Sequence, residues 1–465
     1  MFRKAAGSFD AAKETERDIL TCDENGFAQT KDMPYGIYTV RQTSGWEGRE
    51  LMKPFDVFIS KDGQTYRYLI NNANFESYIK IVKKDAETGN TIPYAGAGFQ
   101  IYDPNGNLVT MTFTYPEVTT IDTFYTTADG DLITPQTLEY GKGYSLVEVQ
   151  APYGYVLNSE PVYFDVVQEN SEEESGITVI EVVRSNMAQK GTITVEKSGE
   201  VFSSVAGDKG LYQPIFSVSG LEGAVYEITA AEDIVTLDGT VRANKGEVVD
   251  TVTTGKDGTV KSKELYLGKY EVKEITAPYG MVLNEEVHSV ELVYAGQTVE
   301  VQTGSATFLN ERQKAAVRVE KQDEETKNPL SGGIYGLYAA EDIKVDGKTV
   351  VPKGTLIEKA TTGADGKASY KAELPINYSY SIREIQAPEL YLRNSEDTYT
   401  FTFKFTNDKE EKVNFSHTFT NKRVNATIDL VKEDSKTGNS AQGDAVFEGA
   451  IYGLYAREDL SLIHI

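Results

Sequence analysis

The chain has 465 residues, a formal net charge of −25 and a single cysteine, Cys22. Its length allows about three to five domains, and its 40% hydrophobic and 11% aromatic content is typical of folded rather than disordered chains. The negative charge argues against nucleic acid or an anionic membrane as partner, one cysteine excludes an intrachain disulfide framework, and no stretch reaches the roughly 18 apolar residues of a membrane helix.

Similar phrases return in a fixed order along the chain, which indicates tandem copies of one module. One set is APYGYVLNS (151–159), APYGMVLNE (277–285) and APELYLRNS (387–395). A second is YGLYAAED (335–342) and YGLYARED (452–459), with FQIYD (99–103) and VYEITAAED (225–233) as looser relatives. We predict five modules, called modules 1 to 5 below, at residues 1–76, 77–188, 189–312, 313–423 and 424–465. We expect modules 1 and 5 to be the C-terminal and the N-terminal part of a repeat.

Between these phrases, apolar and polar residues alternate, and Gly, Asn and Asp interrupt the runs. This pattern is typical of half-buried strands and hairpins, whereas helical periodicity is weak. Several short strands in each module of about 110 residues predict an all-β fold of tandem Greek-key β-sandwiches. Because the linkers are short, we expect a rod-like array.

Three polar residues recur at equivalent places in the modules. Each complete module opens with a strand that ends in Lys, carries a Glu just before the AP phrase, and closes with a strand that ends in Asn. The sets are Lys83, Glu148 and Asn186; Lys197, Glu274 and Asn310; and Lys321, Glu384 and Asn421. Asn72 closes module 1 and Lys432 opens module 5, and every closing Asn lies 11 positions before the next opening Lys.

Strand parity predicts that these polar residues face the core, because successive side chains of a strand point to opposite faces. In module 3 the residues that share parity are Ile193 and Val195 with Lys197, Tyr270 and Val272 with Glu274, and Phe308 with Asn310. The strand that ends at Asn186 is less regular, since Arg184 shares its parity.

A Lys and a Glu on core faces need an explanation, because isolated buried charges are costly. One explanation is structural: a buried Lys–Glu ion pair with the Asn as a hydrogen-bonding neighbour. The other is chemical. The spacing alone leaves both open, although the threefold repetition favours chemistry.

The combination of motifs resembles the Cna B-type (SpaA-like, prealbumin-fold) domains of Gram-positive adhesins and pilins. The motifs are the Lys strand followed by D-x-x-TG, the GA-x-F-x-(I/L)-Y phrase and the E-x-x-AP-x-G-Y phrase; modules 3 and 4 lack part of the last one. The resemblance implies a prealbumin-like (reverse immunoglobulin-like) sandwich and a spontaneous Lys–Asn amide bond promoted by the Glu. It implies the bonds Lys83–Asn186, Lys197–Asn310 and Lys321–Asn421, with Glu148, Glu274 and Glu384 as promoters and no cofactor or metal.

The chemistry also follows from burial. Apolar surroundings lower the pKa of a lysine and raise that of a glutamic acid, so that such a pair can share its proton as neutral amine and neutral acid. The neutral amine is a nucleophile, and we expect the protonated Glu to hydrogen-bond the Asn carboxamide oxygen and to shuttle a proton to the departing ammonia. Each module would react once, so we do not expect an enzyme that turns over.

The two outer modules depart from the pattern. Gln42 stands where module 1 should have its Glu, and the Lys strand of that module would precede Met1, so we expect no bond at Asn72. Module 5 contains neither the Glu nor the closing Asn, so Lys432 should remain a free amine.

The resemblance implies a secreted protein of the cell wall or cell surface, and three functions remain open. The first is a structural stalk. The second is a sortase-assembled pilin subunit, covalently attached through a sorting signal that this sequence does not contain. The third is an adhesin module that binds a host matrix or carbohydrate ligand, for which the longer loops at 103–127 and 231–250 are candidates.

Overall fold

The computed structural model describes residues 1–208, 211–438, 441–443 and 446–455. Within these ranges the chain forms strands and three short 3₁₀ turns, at Lys4–Ala6, Glu14–Glu16 and Gln168–Asn170. The all-β prediction is therefore confirmed. No helix in the described ranges is long and apolar enough to cross a membrane.

Module 1 contributes one antiparallel sheet of three strands. They are β1 (Phe2–Arg3), β2 (Gly36–Val40) and β3 (Phe55–Ile59), with β2 in the middle.

Module 2 is a sandwich of two sheets. Its strands are β4 (Glu76–Asp85), β5 (Gly98–Tyr102), β6 (Met111–Phe113), β7 (Thr119–Ile121), β8 (Phe124–Tyr125), β9 (Asp131–Ile133), β10 (Leu138–Glu139), β11 (Gly141–Gln150), β12 (Val162–Val166), β13 (Glu172–Glu174) and β14 (Ile177–Asn186). One sheet has the order β10-β4-β14-β13 and the other β12-β11-β5-β8, while β6 and β7 form a separate hairpin.

Module 3 repeats this plan with a longer opening strand. Its strands are β15 (Lys190–Asp208), β16 (Leu211–Gly220), β17 (Val225–Ala230), β18 (Ile234–Val235), β19 (Val241–Ala243), β20 (Val248–Thr253), β21 (Thr259–Lys261), β22 (Leu265–Tyr266), β23 (Gly268–Thr276), β24 (Val287–Leu292) and β25 (Val301–Asn310). One sheet has the order β20-β17-β23-β24, and β15 pairs with β16, β21, β22 and β25 in the other.

Module 4 contains β26 (Lys314–Asp323), β27 (Ile334–Ala339), β28 (Ile343–Val345), β29 (Lys348–Val351), β30 (Leu356–Thr361), β31 (Lys367–Ser369), β32 (Tyr378–Gln386), β33 (Thr398–Phe403) and β34 (Lys412–Asn421). Its sheets have the orders β31-β26-β34 and β30-β27-β32-β33, and the second continues into module 3 through β16.

The first and the last strand of each complete module lie side by side and run parallel. The pairs are β4 with β14, β15 with β25 and β26 with β34. In module 3, Lys197 is opposite Phe308 and Asn310 is opposite Gly199, so the closing Asn lies two positions beyond the Lys on the same face. This pairing, which joins the two ends of the module, positions the site.

The two sheets of each module enclose an apolar core, as the alternating pattern predicts. In module 3, Ile193 and Val195 from the opening strand and Phe308 from the closing strand pack against Tyr226 and Val272 of the opposite sheet. The polar residues that alternate with them along the strands lie on the outward faces of the sheets, where they are exposed to water.

Module 5 differs from the expectation of a strand that ends in Lys432. The described residues after 423 form no strand, and Lys432 is exposed. In modules 2 to 4 the opening strand is held by the closing strand of the same module, and residues 424–465 contain no such closing sequence.

Candidate functional site: three buried Lys–Glu–Asn clusters

Each complete module brings its Lys, Glu and Asn together inside the sandwich. All nine side chains belong to residues that are at most 5% exposed. The Lys and the Asn come from the two adjacent parallel strands of one sheet, and the Glu comes from β11, β23 or β32 of the facing sheet. We refer to each set as a cluster.

In module 3 the Glu contacts both other members of the cluster. The Lys197 Nζ atom lies 3.0 Å from Glu274 Oε1, and Asn310 Nδ2 donates a 2.8 Å hydrogen bond to Glu274 Oε2. Lys197 Nζ also donates a hydrogen bond to Asn310 Oδ1. The amine is therefore in direct contact with the carboxamide.

Module 4 has the same arrangement. Lys321 Nζ lies 3.4 Å from Glu384 Oε1 and donates a hydrogen bond to Asn421 Oδ1. Asn421 Nδ2 donates to both oxygens of Glu384, at 2.9 and 3.2 Å.

Module 2 differs in one contact. Lys83 Nζ lies 2.6 Å from Glu148 Oε1, and Asn186 Nδ2 donates a 2.6 Å hydrogen bond to Glu148 Oε2. Within the described residues, however, Asn186 Oδ1 is buried without a hydrogen-bond partner. The Lys–Asn hydrogen bond of the other two clusters is thus not made here.

The orientation of the carboxamide differs from the sequence-based expectation. We expected the Glu to hydrogen-bond the carboxamide oxygen, but in all three clusters it accepts from the nitrogen, Nδ2. The reason is that a carboxylate only accepts hydrogen bonds and so faces the NH2 group of the Asn, while in modules 3 and 4 the Lys amine donates to the carboxamide oxygen. Each carboxylate is consequently placed between the amine and the nitrogen that would leave as ammonia.

Burial favours the neutral form of all three amines. Burial, with a smaller contribution from the nearby positive charge of Arg184, lowers the pKa of Lys83 to about 8 against the opposing attraction of Glu148. Burial likewise lowers the pKa of Lys197 and of Lys321, opposed in each case by the Glu of the same cluster.

Two contacts to the Glu were not predicted from the sequence. The hydroxyls of Tyr226 and Tyr335 lie 3.4 and 3.1 Å from the Oε1 atoms of Glu274 and Glu384. Phe99 occupies the corresponding place in module 2, opposite Glu148, and has no hydroxyl to donate. The Y/F difference within the second repeated phrase is the sequence signal for this variation.

The second contact comes from the AP phrase. Its Asn donates a backbone N–H to the Glu ten positions earlier, at 2.8 to 3.0 Å. The three donors are Asn158, Asn284 and Asn394. These bonds hold the carboxylate in place. The repeated Asn of the phrase therefore acts through its backbone N–H, which its position in the turn directs at the Glu.

The Asp of the D-x-x-TG motif is a structural anchor, also in module 4, where Lys327 stands in place of the Gly. One oxygen of Asp323 accepts the backbone N–H groups of Glu325 and Thr326, and the other accepts from Tyr391 and Arg423 at 2.8 Å. The motif therefore closes the turn after the Lys strand.

The outer modules contain only part of a Lys–Glu–Asn cluster. In module 1, Asn72 Nδ2 donates a 2.7 Å hydrogen bond to Gln42 Oε1, so the Gln does stand beside the closing Asn. Lys432 is exposed, and module 5 contains no equivalent Glu or closing Asn. Among the described residues there is no group of three or more His, Cys, Asp or Glu side chains that could hold a metal.

The two candidate ligand loops differ in accessibility. In the loop at 231–250, Arg242 forms a 2.9 Å ion pair with Asp85 of module 2, and Asp238 accepts a hydrogen bond from Thr88. The loop at 231–250 is therefore held by contacts between modules 2 and 3. The loop at 103–127 carries the exposed Tyr115 and Val118 at its hairpin turn.

Together, the fold and the three clusters define a class of tandem β-sandwich proteins with a Lys–Glu–Asn set in each complete module. The family model "SpaA: Prealbumin-like fold domain" matches residues 77–180, 217–307 and 315–423. The chain belongs to this family. The match in module 3 begins after most of the β15–β16 hairpin.

Named proteins with similarity to the chain include the "Trypsin-resistant surface T6 protein" of Streptococcus pyogenes, 28% identical over 134 residues, 28% of this chain and 25% of that protein. The chain thus spans about a quarter of that relative's length. Among solved structures, the Bacillus anthracis TIE protein has a TM-score of 0.47 at 21% identity, covering 86% of this chain and 65% of that one. BcpA, the major pilin subunit of Bacillus cereus, has a TM-score of 0.29 at 17% identity, covering 75% and 100%.

Proposed function

We propose that this chain is part of a secreted, cell-wall-associated bacterial stalk whose modules 2, 3 and 4 are each stabilised by an autocatalytic Lys–Asn isopeptide bond. The observation that carries the proposal is the repeated contact of a buried amine, a carboxylate and a carboxamide, best formed at Lys197, Glu274 and Asn310. The surface location rests on the family and on the relative's printed name, a surface protein.

The reaction follows from the positions of the atoms. The neutral amine of Lys197 attacks the carboxamide carbon of Asn310 and forms the new C–N bond. Glu274 accepts a proton from Nζ through Oε1 and returns one to Nδ2 through Oε2, the two oxygens nearest these nitrogens. The bond from that carbon to Nδ2 then breaks, and ammonia leaves.

Folding accelerates the formation of the Lys–Asn bond by holding the reacting groups together. Effective molarities of roughly 10⁵–10⁸ M are reached when reacting groups are held in a productive orientation, and the buried positions of all three groups provide this without an external enzyme. Each module reacts once, so the chemistry is maturation and not turnover.

The purely structural alternative, an unreacted ion pair, accounts less well for the clusters. A buried ion pair gains little over apolar packing because both ions lose their hydration. Three repetitions of the same costly set, each with an Asn in contact, support a reactive role. A measurement of the intact mass separates the two, since every bond formed removes one ammonia.

The pilin subunit is the second candidate, supported by the same family. A pilin subunit would be joined covalently to further copies by a sortase, whereas a stalk would not. The sequence contains no sorting signal, so the test adds one to the C-terminus of the full chain and incubates it with a sortase from a pilus-forming bacterium. A ladder of covalent multimers would favour the pilin.

We expect an unreacted module 2 to become more stable as the pH rises. In Asn186→Ala the bond cannot form, and the folded-state pKa of Lys83 is about 8, below the roughly 10.5 of an unfolded chain. Between these values the unfolded state binds more protons, so the free energy of unfolding should increase with pH. Below pH 8 that contribution should level off at its least favourable value.

Hydrogen exchange of the buried amides in β4 and β14, followed from pH 7 to 10.5 and corrected for the intrinsic exchange rate, measures this dependence. The cross-linked parent is the control, since an amide nitrogen does not titrate there. A pH profile of Asn186→Ala that is the same as that of the parent would contradict a shifted Lys83.

A further inference from the structure

The opening hairpin of module 3 extends beyond its sandwich. In modules 2 and 4 the Lys strand ends at Asp85 or Asp323, where the chain turns back at once. In module 3, β15 instead continues past Lys197 to Asp208, and β16 returns along it to Gly220 in antiparallel pairing. We call residues 198–220 the long hairpin.

The far end of the long hairpin lies against module 4. Leu211 of β16 pairs in parallel with Leu356 of β30, which makes one sheet continuous across the two modules. The side chains of Phe202, Val205 and Tyr212 pack against the hydrophobic core of module 4. Apolar surface that a solvated hairpin would expose is thereby removed from water.

Arg312 fastens the near end of the hairpin. It lies in the linker between β25 and β26 and is only 5% exposed. Its guanidinium carbon lies 3.8 Å from the ring centroid of Phe216. The same group forms ion pairs with Glu200 of the hairpin, at 3.4 Å, and with Glu373 of module 4. The guanidinium is buried, whereas both carboxylates are about half exposed, and a cation–π contact is stronger where water is excluded.

The rest of this junction is shared with the junction between modules 2 and 3. Gln189 and Gln313 occupy equivalent linker positions, and each donates its side-chain amide to backbone carbonyls of the following module, at Gly296 and at Asn407 and Glu410. The long hairpin is thus an addition to a common joint and not a substitute for it.

We propose that the long hairpin is an intramolecular clasp whose partner is module 4, and that it holds modules 3 and 4 as one rigid unit. It provides a second connection beside the linker, so that tension crosses the junction through both. Inter-domain motion is the default expectation for modules joined by a linker alone, and the clasp removes it here. The proposal does not depend on the isopeptide bonds.

The test measures a distance distribution between modules 3 and 4 in the full chain. Cys22, which is exposed, is replaced by Ser, and spin labels are placed on cysteines introduced at the exposed positions Thr251 and Thr400. We expect a narrow distribution for this parent. It should broaden about twofold when the sequence of residues 322–328 replaces the long hairpin, since the modules can then move independently.

A second variant keeps the hairpin but removes its apolar contacts with module 4, by Phe202→Ser, Val205→Ser and Tyr212→Ser. It should broaden the distribution in the same direction, and it covers the case in which the hairpin replacement fails to fold. Arg242→Ala, at the junction of modules 2 and 3, is the matched control and should leave the distribution unchanged. A distribution as narrow in the second variant as in the parent would overturn the proposal, as would equal broadening in the control.

Discussion

Replacement of Glu274 by Gln should leave module 3 without its Lys197–Asn310 bond and lower its free energy of unfolding by about 4–5 kcal/mol. The bond would close a loop between residues 113 positions apart, and cross-links of this span act mainly by restricting the unfolded chain. Gln keeps the size of the side chain but cannot relay a proton. Module 1 already carries Gln42 at this place.

The stability of module 3 within the full chain can be followed by hydrogen exchange of its core amides in increasing urea. Glu271→Gln is the matched control, because Glu271 lies on the same strand, β23, but on the exposed face. The proposed bond would be contradicted if Glu274→Gln and Glu271→Gln unfolded at the same urea concentration, with both retaining the parent's stability.

Under tension, a module without its bond should lengthen by roughly 350 Å more than a cross-linked one. Lys321 and Asn421 are 100 positions apart, and an extended chain spans at most about 3.3–3.6 Å per residue. With the bond present, force passes from β26 to β34 through the amide, and the residues between them carry none. Glu384→Gln should therefore allow the residues between β26 and β34 to extend when module 4 unfolds.

Single-molecule stretching of the full chain measures the released length. The parent should show no unfolding step of this size from modules 2, 3 or 4, and Glu384→Gln should add one. Glu389→Gln, an exposed position five residues further on, should behave as the parent does. Three such steps in the parent would mean that its modules are not cross-linked.

The repeat pattern and strand parity predicted the sandwich architecture and which residues meet in its core. Lys197, Glu274 and Asn310 could be placed on inward faces because their strands alternate regularly and the alternation recurs in other modules. Arg184 interrupted this regularity, and it is indeed buried beside its cluster. Local periodicity was sufficient because each cluster lies within one module.

The long hairpin could not be predicted in the same way. Its sequence alternates like any other strand pair, and its partner surface belongs to the next module, so no local pattern in residues 198–220 specifies the contact with Leu356 or Arg312. The orientation of the Asn carboxamide could not be predicted from the sequence either. It depends on which groups occupy the two sides of the Asn side chain, and strand parity fixes only the face.

The most direct test of the central claim is the intact mass of the purified chain under denaturing conditions, measured beside Glu148→Gln, Glu274→Gln and Glu384→Gln. Each Lys–Asn bond releases one ammonia, so the parent should be lighter than its sequence by three ammonia molecules. Each variant should lack one of these losses, and tryptic peptides joined through Lys83, Lys197 or Lys321 should disappear one by one. A folded parent with its full, unmodified mass would contradict the account and leave the three clusters as buried ion pairs.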